Sequence, residues 1–137
     1  MSHYESSAVF SVTRWDEAPY RTIDGTVKLV MAEVEQSYTG SLTGQSEIRY
    51  LMLYPSEGTI TTFTGLEYFA GSLDGRDGSF GIRWDGHDDG TAARGRGTIV
   101  AGSGTGALTG LGGEASYEAT RSGDVGFSIS WDLDAQN

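Results

Sequence analysis

The sequence contains no cysteine, which excludes a disulfide framework and a thiolate metal site. Histidine is almost missing too: His3 and His87 are the only two, too few and too far apart in sequence for a zinc site. No apolar run approaches the roughly 20 residues of a membrane-spanning helix. The opening residues, MSHYESSAVFSV, lack the basic-then-apolar order of a secretory signal, so a cytoplasmic protein is expected. Positive charge is scarce: nine Lys and Arg face 19 Asp and Glu, a formal net charge of −10, and Lys28 is the sole lysine. Such a surface repels phosphate backbones and anionic lipid, so neither nucleic acid nor a membrane is an expected partner.

What is present in quantity is glycine, 21 residues against two prolines, together with β-branched and aromatic residues in alternation. The 137 residues fit one domain, 1–137. Period-2 patterning predicts eight strands, at about Ala8–Trp15, Thr26–Tyr38, Glu47–Tyr54, Gly58–Gly71, Gly78–Gly86, Ala93–Gly102, Glu114–Thr120 and Val125–Leu133. Turn signals separate them at 24–25, 39–44, 55–58, 73–78, 85–90 and 122–124. No 3.6-residue apolar period lasts long enough for a helix; only ALTGL, Ala107–Leu111, suits a single turn. Short connections imply an antiparallel meander, and eight strands of this size tend to close into a barrel, because closure removes edges.

One stretch tests that reading. TIVAGSGTGALTGLGGE, Thr98–Glu114, runs from a β-type segment into six glycines, as a dinucleotide-binding turn does. Such a turn needs a helix behind it to offer free N–H groups to pyrophosphate. Glycines at 110, 112 and 113 would each cost a helix about 1 kcal/mol. The stretch is expected to be a strand-to-strand crossing, with Leu108 and Leu111 plugging a barrel end. DGHDDG, Asp85–Gly90, invites a calcium-loop reading, but Arg96 stands where a bidentate glutamate belongs and flanking helices are lacking. No nucleophile-elbow pattern supports a Ser-His-Asp triad. Neither a metal nor a cofactor is expected.

GSLDGRDGSF (Gly71–Phe80), GSGTGALTGLGGE (Gly102–Glu114) and TGLEYFAGSL (Thr64–Leu73) together resemble a bacterial family of proteins of unknown function, DUF3224, over about Phe10 to Trp131. The resemblance implies an allene-oxide-cyclase-like barrel, lipocalin-like in outline, and no established reaction. In one respect the chain departs from the pattern: relatives often carry a histidine where this chain has Trp84.

Glu67 is the leading candidate for chemistry, a carboxylate amid apolar and small residues. Alternation puts it on one face with Phe63, Gly65 and Phe69. If that face is the lumen, burial raises its pKa and suits it to acid–base work; if Thr62, Thr64, Leu66 and Tyr68 point inward instead, it does not. Pairing with Arg49, Arg76 or Arg83 is the structural alternative. Glu33 and Glu35 share a face with Val27, Leu29 and Met31, where they either approach Glu67 or face water. Arg83 and Tyr50 are the residues expected to assist Glu67 in moving a proton or polarising a carbonyl. Phe63, Phe69, Phe80, Trp84, Trp131 and Arg49 are expected to hold a ligand, although aromatic residues also simply fill small barrels.

These residues point to a barrel that binds a small, mostly apolar molecule, either as a cofactor-free isomerase or cyclase or as a non-catalytic carrier. The remaining alternative is an interaction protein whose barrel is filled solid. Leu and Tyr on exterior strand faces make a homo-oligomer an open expectation.

Overall fold

The computed structural model describes residues 3–24, 27–56, 60–120 and 123–133. Its nine strands are β1 (His3–Asp24), β2 (Val27–Gly40), β3 (Leu42–Tyr54), β4 (Thr61–Leu73), β5 (Arg76–Asp88), β6 (Ala93–Ile99), β7 (Thr105–Gly106), β8 (Leu111–Ala119) and β9 (Val125–Leu133). Alternation decides their packing. Along β2, Val30, Ala32, Val34, Gln36 and Tyr38 are buried, while Met31, Glu33 and Glu35 are exposed. Eight of the strands pair antiparallel in chain order, and β9 returns to β1 to close the cylinder. This is the eight-stranded meander barrel that the patterning predicts. The two-residue β7 lies outside the cycle and pairs with Gly78 and Ser79 of β5.

The strand ends depart from expectation in informative ways. β9 matches its predicted span, but β1 is 22 residues long, far beyond Ala8–Trp15. Only His3–Phe10 pairs with β9; from Ser11 onward β1 pairs with β2 alone. Closure therefore leaves more than half of β1 as an edge, and Arg14, Asp16 and Glu17 on that edge discourage pairing with other chains. A bulge at Thr13 separates the pairs Val12–Gln36 and Arg14–Glu35, and the Thr13 hydroxyl donates to the Glu35 carbonyl at 3.1 Å. The extra residue keeps Trp15, opposite Val34, on the lumen side, where unbroken alternation would turn it outward.

The barrel has one closed end. Residues 105–111 form a single tight turn, in which Leu108 N–H donates to the Thr105 carbonyl at 3.0 Å and Leu111 N–H to the Leu108 carbonyl at 3.1 Å. The turn drives Leu108 and Leu111 into the barrel against Leu42, Leu73 and Trp131, all fully or almost fully buried. The glycine-rich stretch is thus a plug, and no phosphate-binding helix follows it. At the β4–β5 hairpin, Asp74 (φ 48°) and Gly75 (φ 84°) make a two-residue turn with both residues left-handed. The turn signals at 24–25, 55–58 and 122–124 fall partly outside the described residues.

Glycine also works inside the strands, a role the turn-based reading misses. A Cβ on Gly65 would lie 2.6 Å from the Tyr50 ring, on Gly86 2.4 Å from Phe63, on Gly95 2.5 Å from Tyr117, and on Gly97 2.9 Å from Trp84. Each large ring packs against a glycine on a neighbouring strand. Four bare backbone sites admit four rings into a lumen that side chains otherwise fill.

Candidate functional site

On β4 the inward face is Phe63, Gly65, Glu67 and Phe69; Leu66 and Tyr68 face out and are exposed. Glu67 is 2% exposed, in the middle of the barrel. Register places it between Ile48 of β3 and Ile82 of β5, so its own row is aliphatic. Its hydrogen bonds come from other strands. The Tyr38 hydroxyl donates to Oε2 at 2.6 Å and the Trp84 indole N–H to Oε1 at 2.7 Å. Gln36 Nε2 stands 3.5 Å from Oε2 and donates to the Tyr38 oxygen at 3.2 Å. Both carboxylate oxygens are thus held by neutral donors.

Burial pushes the Glu67 carboxyl above its ordinary range; the nearby Ser46 hydroxyl and the Tyr38 and Trp84 hydrogen bonds, which favour the charged form, pull it back in part. Ser46 Oγ is itself buried without a hydrogen bond of regular geometry. The Tyr38 phenol is driven well above 10, first by burial and then by the Glu67 charge. The network is therefore a buried acid braced by a phenol that stays neutral.

At the other end no described residue plugs the barrel. A cavity of about 160 Å³ sits there, walled by the rings of Phe10, Trp15, Tyr50, Tyr54, Phe63 and Tyr117. Val12, Met52 and Val125 add apolar wall, and Gln36 and Asp88 supply the polar side chains. Tyr50 and Tyr117 share a hydrogen bond of 3.0 Å between their hydroxyls. At the rim, Glu17 accepts from the Trp15 indole N–H at 2.9 Å and from the Tyr54 hydroxyl at 3.0 Å. Burial, then the Glu17 hydrogen bond and the Glu17 and Asp88 charges, raise Tyr54 to about 12. Tyr117 also reaches about 12, chiefly through burial. Gln36 belongs to both places: it lines the cavity and touches the Tyr38–Glu67 pair.

A broader depression of about 820 Å³ lies on the outer face of β1, β9, β8 and β6. Its floor is short hydroxyl side chains such as Ser7, Ser116, Ser128 and Ser130, and no aromatic residue lines it. It lacks the enclosed apolar wall that holds a small ligand.

The sequence-predicted residues divide between these regions. Glu67, Tyr50, Phe63, Phe69, Phe80 and Trp84 all point inward. Only Tyr50 and Phe63 of these line the cavity; Trp84 is turned to Glu67, and Phe69 packs on Tyr38 and Phe80. Trp131 belongs to the closed end, stacked on Tyr4 at 4.4 Å with Arg76 above both rings. Arg49 and Arg83 do not join the site. Each sits at an odd register step between inward residues and projects into solvent; Arg49 pairs with Glu47 at 3.4 Å. No arginine pairs with Glu67 among the described residues. Glu33 and Glu35 also face outward, toward Arg14 and Arg49. Asp89 Oδ1 holds the β5–β6 turn by accepting from the amides of Thr91 and Ala92.

Sequence reasoning misses Gln36, Tyr38, Tyr117 and Asp88. The signal for Tyr38 is in the sequence, since it is four residues beyond Val34 on the same β2 face. Tyr117 is signalled only by its register with Gly95, which a single sequence does not display.

A closed antiparallel barrel, plugged at one end, open through an aromatic mouth at the other and built around a neutral-braced carboxyl group, is the class this geometry defines. The family model for DUF3224, described as a protein of unknown function, matches residues 6–131, and the chain belongs to that family. A crystal structure of a DUF3224 protein of unknown function from Shewanella oneidensis MR-1 is similar to it, with a TM-score of 0.80 at 24% identity, over 97% of this chain and 99% of that one. That likeness speaks to the fold. No curated protein matches the sequence. Among the described residues no helix is long and apolar enough to cross a membrane.

Proposed function

We propose that this barrel is a small-molecule-binding protein that takes a compact, mostly apolar molecule into its open mouth. The observation that carries the reading is the ring-walled cavity at the unplugged end. Its volume of about 160 Å³ corresponds to roughly five waters at ~30 Å³ each. Below the mouth the lumen is filled by side chains, so the occupant is small and does not traverse the barrel. Native mass spectrometry of freshly purified protein tests this: a co-purifying small molecule, reduced in Tyr50→Ala, is the expected result. Protein that never carries or takes up a small molecule, in either form, would favour a purely structural barrel.

A cofactor-free isomerisation or cyclisation in the same cavity is the second reading, favoured by the contact of Gln36 with both cavity and Glu67. Glu67 itself does not line the cavity, which weighs toward binding without turnover. A proton would have to pass by Gln36 or Tyr38 to reach an occupant. Replacing Glu67 with Gln separates the two: turnover lost at unchanged affinity supports catalysis, and unchanged affinity with no turnover in either form supports a carrier.

A further inference from the structure

The charge pattern of the mouth narrows the ligand class, on the assumption that the mouth is a binding site. Six rings face one small space. Aromatic faces carry negative potential and attract cations, the more strongly where water is excluded. The charged group in the cavity wall is Asp88, one of whose oxygens accepts from the Gly90 amide at 2.8 Å. Glu17 stands at the rim, held by Trp15 and Tyr54. Among the described residues no arginine or lysine lines the cavity. Among the described residues, Lys28 sets its ammonium 5.3 Å from the centre of the Tyr54 ring without lining the cavity. It is an internal instance of a cation seated on a mouth ring. The same carboxylates that hold the Tyr54 proton in place would oppose a bound anion.

We propose that the mouth selects a small organic cation, an alkylammonium of up to about ten non-hydrogen atoms, over neutral or anionic molecules of the same shape. The rings would surround its alkyl groups while Asp88 and Glu17 balance its charge. An arginine or lysine pointing inward would be the signature of an acid-binding barrel, and the described wall carries neither.

Calorimetric titration with three matched probes tests the proposal: choline, its uncharged isostere 3,3-dimethylbutanol, and the 3,3-dimethylbutyrate anion. The expected order is choline tighter than the alcohol by tenfold or more, with the anion weakest. Asp88→Asn should weaken choline several-fold more than it weakens the alcohol, whereas Trp15→Ala, which removes cavity wall, should weaken both. Equal affinity for choline and the alcohol, or preference for the anion, overturns cation selectivity but leaves the mouth as a binding site. Failure of all three probes, in protein whose Trp15 indole NMR signal is also unmoved, counts against the cavity as a site and against the proposal together.

Discussion

The two ends of the barrel are built from different chemistry. At the closed end Leu42, Leu73, Leu108 and Leu111 meet beneath Trp131, every one 2% exposed or less. At the open end the side chains are amphipathic rings: Trp15 is 44% exposed, and hydroxyls of Tyr50, Tyr54 and Tyr117 are directed at one another or at Glu17. One end removes apolar surface from water completely; the other ends in a rim where Trp15 meets water above a buried Tyr50. A dry apolar plug and a ring-walled cavity thus stand at opposite ends, with the Glu67 network between them.

The largest test removes one residue from each end. Leu108→Ala deletes a fully buried side chain from the plug, and the expected loss is about 2–5 kcal/mol. Trp15→Ala deletes a larger but half-exposed ring from a stretch of β1 paired on one side only, and the expected loss is within about 1 kcal/mol. Urea denaturation of the two variants and the parent measures both. Comparable losses would break the contrast between the ends.

The middle network gives a subtler test, a tilt in the pH profile of stability. Glu67 binds its proton more tightly in the folded chain than in the unfolded one, because burial raises its folded pKa. Its contribution is then greatest below the ordinary carboxylate range and is lost as pH rises through the folded value. In Glu67→Gln that decline is absent. Subtracting the variant's stability from the parent's at each pH cancels the other carboxylates. The expected difference moves steadily in the variant's favour from about pH 4 upward. A flat difference would mean that the carboxyl group is not held as a raised-pKa acid.

Legibility in the sequence followed the same division. Eight strands and closure were readable because alternation is a local property, and β9 was readable to the residue. The plug was readable because Gly110, Gly112 and Gly113 rule out a helix while leaving Leu108 and Leu111 as the apolar pair. Glu67 stood out by type in an apolar strand. That Tyr38 and Trp84 bind it was not legible, because Tyr38 reaches it from β2, two strands away, and Trp84 diagonally from the adjacent β5. Arg49 and Arg83 looked suitable for a ligand oxygen, but period-2 alternation sends them outward once Glu67 is inside. The mouth was hidden for two reasons: the Thr13 bulge resets the face of Trp15, and glycines inside the strands make room for rings opposite them. Both effects depend on register between strands.

The smallest expected effect belongs to the hydroxyl pair at the mouth. Tyr50 and Tyr117 come from β3 and β8, which share no strand pairing, and their hydroxyls meet at 3.0 Å across the cavity. Both phenols are raised by burial, Tyr117 to about 12, so both are neutral donors and acceptors at physiological pH. Tyr117→Phe keeps the ring over Gly95 and removes only the oxygen. Because the Tyr50 hydroxyl then faces a cavity large enough for water, the expected loss is about 1 kcal/mol or less, below the cost of a sealed, unsatisfied group. A double-mutant cycle with Tyr50→Phe should return a coupling of roughly 0.5–1.5 kcal/mol. A coupling near zero would mean that each hydroxyl already turns to water, and that the mouth is wetter and looser than a bond across it implies. A coupling well above that range would mean that the pair is sealed from water like the plug, which would erase the difference between the two ends.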